Sequence, residues 1–145
     1  MAKNLSVDPG SDLRKDIGKD LGGDIGGLGE KIAIKYLTKK GYKILDKNYK
    51  PSFVSGPQTG EIDIVAKFGG TISFIEVKAL NKKSSNYYPE NKVDFLKQRK
   101  IIKTAERWLM EKKISLDSQW QVDVIAIEIN LETKKAKIRY LANAV

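Results

Sequence analysis

The stretch GEIDIVAKFGGTISFIEVK, residues 60–78, decides the fold because it joins two strand-like runs through a turn signal. Residues rich in Ile and Val stand on both sides of Gly69 and Gly70. Adjacent glycines tolerate the positive φ angles that a tight two-residue hairpin turn requires. The sequence therefore predicts a β-hairpin in which Phe68 pairs with Thr71.

Cross-strand pairing in this hairpin sets acidic residues against one another. The register brings Asp63 directly opposite Glu76 and, two residues further out, Glu61 opposite Lys78. Side chains alternate along a strand, so all four share one face. Directly opposed Cβ atoms lie roughly 5 Å apart, and like charges there are destabilising. A divalent cation between Asp63 and Glu76 would replace that repulsion with ligation. The other face is predicted to receive Ile62, Ile64, Ile75 and Val77.

Composition limits the chemistry that the chain can perform. The 145 residues are enough for one domain with its own core. The sequence contains no Cys and no His, which excludes disulfides, thiolate zinc sites and the commonest general base. Any metal must therefore be held by oxygen atoms, which favours Mg²⁺ or Mn²⁺, with Ca²⁺ also open.

Charge is distributed unevenly along the chain. The net charge is +9, and residues 79–113 hold ten Lys or Arg against four Asp or Glu. A basic surface beside an acidic hairpin suits an enzyme acting on a polyanion, although single lysines are more often solvated charges. The predicted nucleic-acid contacts are Lys82, Lys83, Lys97, Arg99 and Lys100.

Apolar stretches are too short to indicate a membrane protein. No run approaches the roughly 20 residues of a membrane span, and the N-terminus lacks the apolar core of a signal peptide. We therefore expect a soluble, cytoplasmic protein with no membrane partner.

The chain divides into an N-terminal arm and one domain. In residues 1–27, Asp recurs every four residues among glycines, which predicts a flexible or weakly helical arm. Residues 28–145 predict an α/β domain of order α-β-β-β-α-β-β, with a mixed sheet of four to five strands and helices on both faces. The predicted helices are 28–40 and 92–113, and the predicted strands are 42–49, 61–66, 71–79, 121–129 and 135–141.

Three polar residues fall on apolar faces of these elements. Glu30 lies within the apolar arc of the first helix and needs a partner, unless the first-turn N–H groups and the helix dipole stabilise it. Gln98 lies within the arc of the second helix, where a buried hydrogen bond or a substrate contact explains it equally well. Asp123 stands in a continuous apolar strand, which favours a structural role.

The ordered motifs resemble one known family. They are GE at residues 29–30, NYK at 48–50, GEIDIVA at 60–66, FIEVK at 74–78, LKQRK at 96–100, QVDVIAI at 121–127 and the ending ANAV. Together they resemble the bacterial YraN family of predicted endonuclease-like proteins, which is similar to the PD-(D/E)XK nucleases and their restriction-endonuclease-like sheet.

The resemblance implies roles for individual residues. Asp63, Glu76 and Lys78 match the D…EXK triad, with Glu30 as the helical carboxylate that completes the metal ligands. Gln98 resembles the glutamine found after the EXK strand in related nucleases. The tyrosine that follows it by four residues in some of them is replaced by Ile102.

These observations predict a divalent-metal-dependent endonuclease that hydrolyses DNA phosphodiester bonds. The cation would activate water, and Lys78 would hold that water or offset phosphate charge. One or two metals are open, since Glu61 either pairs with Lys78 or reaches a second ion. RNA is open as a substrate, as is a homodimer. The alternative is a non-catalytic module on the same fold that binds nucleic acid or protein.

Overall fold

The computed structural model describes residues 5–12, 25–51, 60–81 and 95–144. Six strands form one mixed sheet of order β1-β6-β5-β4-β3-β2, in which only β4 and β5 are parallel. The elements are β1 Leu5–Asp12, α1 Ile25–Lys39, β2 Lys43–Tyr49, β3 Ile62–Phe68, β4 Thr71–Asn81, α2 Phe95–Glu111, β5 Trp120–Asn130 and β6 Lys135–Leu141.

The predicted α/β class and the order α-β-β-β-α-β-β are confirmed. The five predicted strands end within two residues of the observed bounds. Helix α1 begins at Ile25, three residues earlier than predicted. Its first turn contains the exposed glycines Gly26 and Gly27, and the packing of Leu28 and Gly29 directly after them offsets their low helix propensity. No helix in the described parts of the chain is long and apolar enough to span a membrane.

The first strand was not predicted from the sequence. Leu5–Asp12 pairs antiparallel with β6, from Leu5↔Leu141 to Asp12↔Lys135, where a flexible or weakly helical arm was expected. Its register shifts between Asp8 and Ser11, at a Pro-Gly pair whose proline has no N–H to donate to the ladder. The four-residue spacing of Asp and the many glycines predicted a flexible or weakly helical arm, so the strand was not recognised. The rest of the arm, residues 13–24, lies outside the described residues.

The β3–β4 hairpin forms as the turn signal predicts. Gly69 and Gly70 have φ angles of 57° and 83°, in the left-handed region that glycine adopts without strain. Phe68 pairs with Thr71, and the ladder continues in the same register to Ile64↔Ile75.

Each face of the sheet is covered by one helix and one apolar cluster. Helix α1 buries residues spaced at one and four along the helix, such as Ile32, Ala33 and Tyr36. It ends at Lys39, and Gly41, whose φ is 96°, turns the chain away two residues later. The α1 cluster includes Leu28, Ile32, Ala33, Tyr36, Leu37, Ile64, Ile75, Ile125, Ile127, Ile138 and Tyr140. The α2 cluster includes Tyr49, Ile62, Val65, Phe74, Ile101, Ala105, Trp108, Leu109 and Val122.

Polar contacts fix the second half of α2 across the sheet. Trp108 packs edge-on against Phe74, with ring centroids 5.5 Å apart, and its Nε1 donates to Asp46 Oδ2 at 3.0 Å. Glu111 accepts a hydrogen bond of 2.7 Å from the hydroxyl of Tyr49. Because α2 is held on β2 at this end, the first half of the helix is directed toward the start of β3.

Candidate active site

Strands β3 and β4 part at the acidic residues of the hairpin. The last ladder pair is Ile64↔Ile75, and Asp63 and Glu76 are the next residues of the two strands, near enough for the charge of Glu76 to act on Asp63. There the Val77 N–H donates to Asp63 Oδ2 at 2.8 Å, so a side-chain oxygen takes the bond that a strand carbonyl would otherwise accept. Strand β4 stays paired with β5 as far as Asn81. The strands therefore open at the point where the two acids face each other.

The backbone of β3 changes direction at Asp63. Ile64 packs in the α1 cluster, whereas Ile62 packs in the α2 cluster, although residues two apart in a regular strand share a face. The predicted placement of Ile62 on the face of Ile64 is therefore wrong, while Ile75 and Val77 do lie against the α1 cluster. On the neighbouring strand, Asn48 lies at the position opposite Asp63 and has a φ of 50°. The register of β2 with β3 is the same on both sides of Asn48, so the positive φ accompanies the change of face without a bulge at this position.

Burial and neighbouring acids act together on Asp63. Burial of the carboxyl raises its pKa most, and the charge of Glu76 raises it next, with smaller contributions from Glu30 and Glu61. The hydrogen bond from Val77 opposes these effects, and the net result raises the pKa of Asp63 from 3.8 to about 7. Asp63 is therefore held among like charges that a bound cation would compensate.

Lys78 forms an ion pair within its own strand. Its Nζ lies 3.1 Å from Glu76 Oε1, and the two side chains are only 22% and 11% exposed. The predicted opposition of Glu61 and Lys78 lies beyond the described ladder of β3 and β4. Glu61 pairs instead with Lys50, at 3.7 Å and largely in solvent. The parting of β3 from β4 accounts for this, because the ladder ends before Glu61 can come opposite Lys78.

Helix α1 brings Glu30 toward the same region. A Cβ on Gly29 would lie 2.5 Å from the Ala79 Cβ, so only glycine allows the helix to approach β4 this closely. The half-buried Glu30 follows directly and contributes to the raised pKa of Asp63. The predicted helical carboxylate is thus electrostatically coupled to Asp63.

Asn48 is a site residue that sequence reasoning did not single out. With its amide nitrogen turned toward Glu30, that nitrogen lies 3.3 Å from Oε1 and 3.2 Å from Oε2. Asn48 does belong to the NYK motif, one of the motifs that carry the family resemblance. Nothing in that motif indicated a contact with Glu30.

Thr104 is a second residue that the sequence did not indicate. Its buried hydroxyl donates to the Lys100 carbonyl at 2.7 Å and accepts the Gly60 N–H at 3.2 Å. A Cβ on Gly60 would lie 2.8 Å from that hydroxyl oxygen, so the start of β3 rests directly on α2. This contact holds α2 against the start of the strand that carries Asp63.

The predicted nucleic-acid contacts are only partly within the described residues. Arg99 and Lys100 are exposed on the first turns of α2, and Gln98 is half-buried beside them. Lys82, Lys83 and the side chain of Lys97 lie outside the described residues. Arg99 and Lys100 are therefore the two predicted contacts whose side chains the structure describes.

Two acids rather than three form the centre of the site. Within residues 25–51, 60–81 and 95–144, no three acidic side chains converge into a ready-made metal site. The predicted set of Glu30, Asp63 and Glu76 is thus represented by the opposed pair Asp63 and Glu76, with Glu30 acting on Asp63 through its charge.

Asp123 has the structural role that the sequence favoured. It is fully buried and accepts hydrogen bonds from the Tyr140 hydroxyl, from Gln121 Nε2 and from the Asn143 N–H at 2.9 Å. Burial and then the charge of Asp123 raise the pKa of Tyr140, which keeps its hydroxyl protonated as a donor. This carboxylate is satisfied within the fold.

Comparison with known proteins places the chain among related sequences. Residues 29–127 match the model of the family described as "Uncharacterised protein family UPF0102". A UPF0102 protein of Alkaliphilus oremlandii is 38% identical over 119 residues, covering 81% of this chain and 93% of the relative. One from Persephonella marina is 43% identical over 103 residues, covering 70% and 81%, and one from Caldanaerobacter subterraneus subsp. tengcongensis is 40% identical over 119 residues, covering 81% and 90%. The family resemblance predicted from the ordered motifs is confirmed.

Proposed function

We propose that this chain, which belongs to the UPF0102 (YraN) family, is a divalent-metal-dependent nuclease that hydrolyses phosphodiester bonds of DNA. The observation that carries the proposal is the opposition of Asp63 and Glu76 where β3 and β4 part, with Lys78 beside Glu76. A fold selected for stability alone has no reason to set two half-buried carboxylates against each other.

The residues present fit a hard divalent cation. Both central groups are carboxylates, which Mg²⁺ and Mn²⁺ prefer, and they come from adjacent strands. The Val77 N–H holds one oxygen of Asp63 and so restricts the orientation of the carboxylate. The repulsion that raises the pKa of Asp63 would be relieved by a cation between the two acids. When bound, the ion would polarise the phosphate and lower the pKa of an attacking water.

Charged residues around the acids have complementary roles in the proposal. Lys78, held by Glu76 and mostly shielded from solvent, stabilises negative charge that develops on the phosphate or holds the attacking water. Arg99 and Lys100, exposed on α2, contact the phosphate backbone. DNA rather than RNA follows from the resemblance to PD-(D/E)XK nucleases.

A cleavage assay with matched variants tests the proposal. Labelled single-stranded, duplex and branched DNA, and a matched RNA, are incubated with the purified protein and Mn²⁺, Mg²⁺ or a chelator. We expect metal-dependent cleavage that falls at least about 100-fold in Asp63→Ala and in Glu76→Ala. Asp117→Asn, which changes an exposed acid in the turn before β5, is the control and should cleave like the wild type. Cleavage that persists in both site variants would contradict the proposal.

A non-catalytic nucleic-acid-binding module is the second candidate. The observation in its favour is that no three acids converge in the described residues 25–51, 60–81 and 95–144, as a complete metal site would require. DNA binding that is independent of metal, without cleavage under any condition, would support this candidate over the nuclease.

A further inference from the structure

Asn48 combines two features that need a common explanation. It is one of four non-glycine residues with positive φ in the described chain, at 50°, and it lies within strand β2 rather than in a turn. Asparagine tolerates this conformation better than most residues, but a strand position gives it no intrinsic reason to adopt it. Backbone strain inside an element is often retained where it places a side chain for function.

The side chain of Asn48 is placed against Glu30. Its amide nitrogen lies 3.3 and 3.2 Å from the two carboxylate oxygens, in the orientation that sets a donor against acceptors. One NH₂ group therefore spans both oxygens of the carboxylate. Glu30 sits on α1 and Asn48 on β2, so the contact joins the helix to the edge of the sheet beside Asp63.

Position in the sheet links this contact to the candidate active site. Asn48 occupies the place opposite Asp63, between the pairs Lys47↔Ile64 and Tyr49↔Ile62. The charge of Glu30 acts on Asp63, so the orientation of Glu30 affects the acid that opposes Glu76. Hydrogen bonds to a charged carboxylate are among the stronger ones, which makes the amide an effective orienting group.

We propose that Asn48 is a positioning residue that holds the Glu30 carboxylate in place beside the Asp63–Glu76 pair. The left-handed backbone at Asn48 turns its amide toward α1, and the amide restricts Glu30 to one orientation. This inference rests on the proposed metal-dependent function, since its consequence is a higher affinity of the site for a divalent cation. It adds a residue outside the acidic set to the apparatus of the site.

A glycine variant of Asn48 distinguishes the effect of the side chain from the effect of the backbone conformation. Asn48→Gly keeps the positive φ without strain and removes only the amide. Asn143→Gly is the matched control, because Asn143 has a φ of 52° and lies in the C-terminal segment, away from Glu30. Mn²⁺ affinity measured by calorimetric titration is the first readout, and the metal concentration that supports half-maximal cleavage is the second.

We expect Asn48→Gly to weaken Mn²⁺ binding about 10-fold, as loss of an outer-sphere partner typically does, with little change in melting temperature. Glu30→Gln should weaken it by at least that factor, because it also removes a negative charge beside Asp63. The double variant should match Glu30→Gln alone, because the amide of Asn48 acts only through the Glu30 carboxylate. Asn143→Gly should bind Mn²⁺ like the wild type.

Two results would overturn the inference. One is unchanged Mn²⁺ affinity in Asn48→Gly, and the other is a double variant whose losses multiply, which indicates independent effects. Failure of the proposed function gives a different pattern, since Asp63→Ala would then also bind Mn²⁺ like the wild type. If Asp63→Ala abolishes binding and Asn48→Gly does not alter it, only the role of Asn48 is wrong.

Discussion

Two strand aspartates, Asp63 in β3 and Asp123 in β5, have opposite environments. Asp123 is fully buried, and donors from Tyr140, Gln121 and the Asn143 backbone satisfy its oxygens. Asp63 is half-buried and accepts a hydrogen bond from the Val77 N–H. Its burial and the negative charges of neighbouring acids nevertheless raise its pKa.

The difference distinguishes an acid that supports the fold from one that strains it. The fold supplies Asp123 with the donors that a buried carboxylate requires, so that acid stabilises the native state. The fold opposes Asp63 with further negative charge, so that acid gains stability only when a proton or a cation arrives. A pair of acids predicted from a sequence indicates a functional site when the folded structure does not fully relieve their repulsion.

Removal of the Asp123 carboxylate should have the largest effect on stability. In Asp123→Ala, the buried Tyr140 hydroxyl and the Asn143 N–H lose their acceptor, which should lower the free energy of unfolding by about 3 kcal/mol or more. Chemical denaturation monitored by circular dichroism measures the change. If Asp63→Ala proves equally destabilising near neutral pH, the contrast between the two acids does not hold.

Removal of the Asp63 charge should stabilise the protein, and only at higher pH. Folded Asp63 keeps its proton up to a pKa of about 7, whereas the unfolded group releases it near 3.8, so the folded state binds more protons between these values. Stability of the wild type therefore falls as pH rises through this window. Asp63→Asn has no carboxyl to ionise, so its stability should not fall in this window. Without metal, its free energy of unfolding should exceed that of the wild type by roughly 2 kcal/mol at about pH 8 and equal it near pH 4.

Denaturation at several pH values checks both the size and the sign. Glu132→Gln, at an exposed acid in the turn before β6, provides a variant with the same change of charge. The raised pKa of Asp63 would be contradicted if the wild type gained stability relative to Asp63→Asn between pH 4 and pH 8.

The hydroxyl of Tyr140 should contribute a smaller part of the stability of the Asp123 network. Tyr140→Phe keeps the packed ring but removes one donor to the carboxylate, while Gln121 and the Asn143 N–H remain. We expect a loss of about 1.5 kcal/mol in the free energy of unfolding. A loss as large as that of Asp123→Ala would show that Tyr140 alone satisfies this acid, which a double-mutant cycle would resolve.

Neutralisation of Glu61 should have the smallest effect. Its ion pair with Lys50 is 3.7 Å long and largely exposed, and such pairs contribute less than about 0.5 kcal/mol. Glu61→Gln should therefore leave stability and metal-dependent cleavage nearly unchanged. A large loss of cleavage in this variant would instead assign Glu61 to a second metal.

Local rules in the sequence were enough to predict the hairpin and most of the elements. The two glycines at the turn set the register from Phe68↔Thr71, and strand alternation then placed Asp63 against Glu76. The apolar spacing in α1 and α2 predicted the faces that pack on the sheet.

Tertiary contacts produced the features that the sequence did not reveal. The change of face at Asp63 lies opposite the left-handed backbone of Asn48 in a different strand, and the Gly60 N–H before β3 is bonded to Thr104 in α2. Strand β1 was missed because the arm's four-residue repeat and its glycines predicted a flexible or weakly helical segment, whereas the first part of the arm pairs with β6. None of these contacts has a signature in a single segment of sequence.

The most direct test of the central claim is the effect of Mn²⁺ on thermal unfolding of the wild type and of Asp63→Asn. If Asp63 and Glu76 hold a cation between them, saturating Mn²⁺ should raise the melting temperature of the wild type by about 5 °C or more. Asp63→Asn should show almost no rise, while Asp117→Asn should behave like the wild type. An equal rise in the wild type and Asp63→Asn, or no rise in the wild type, would contradict the claim.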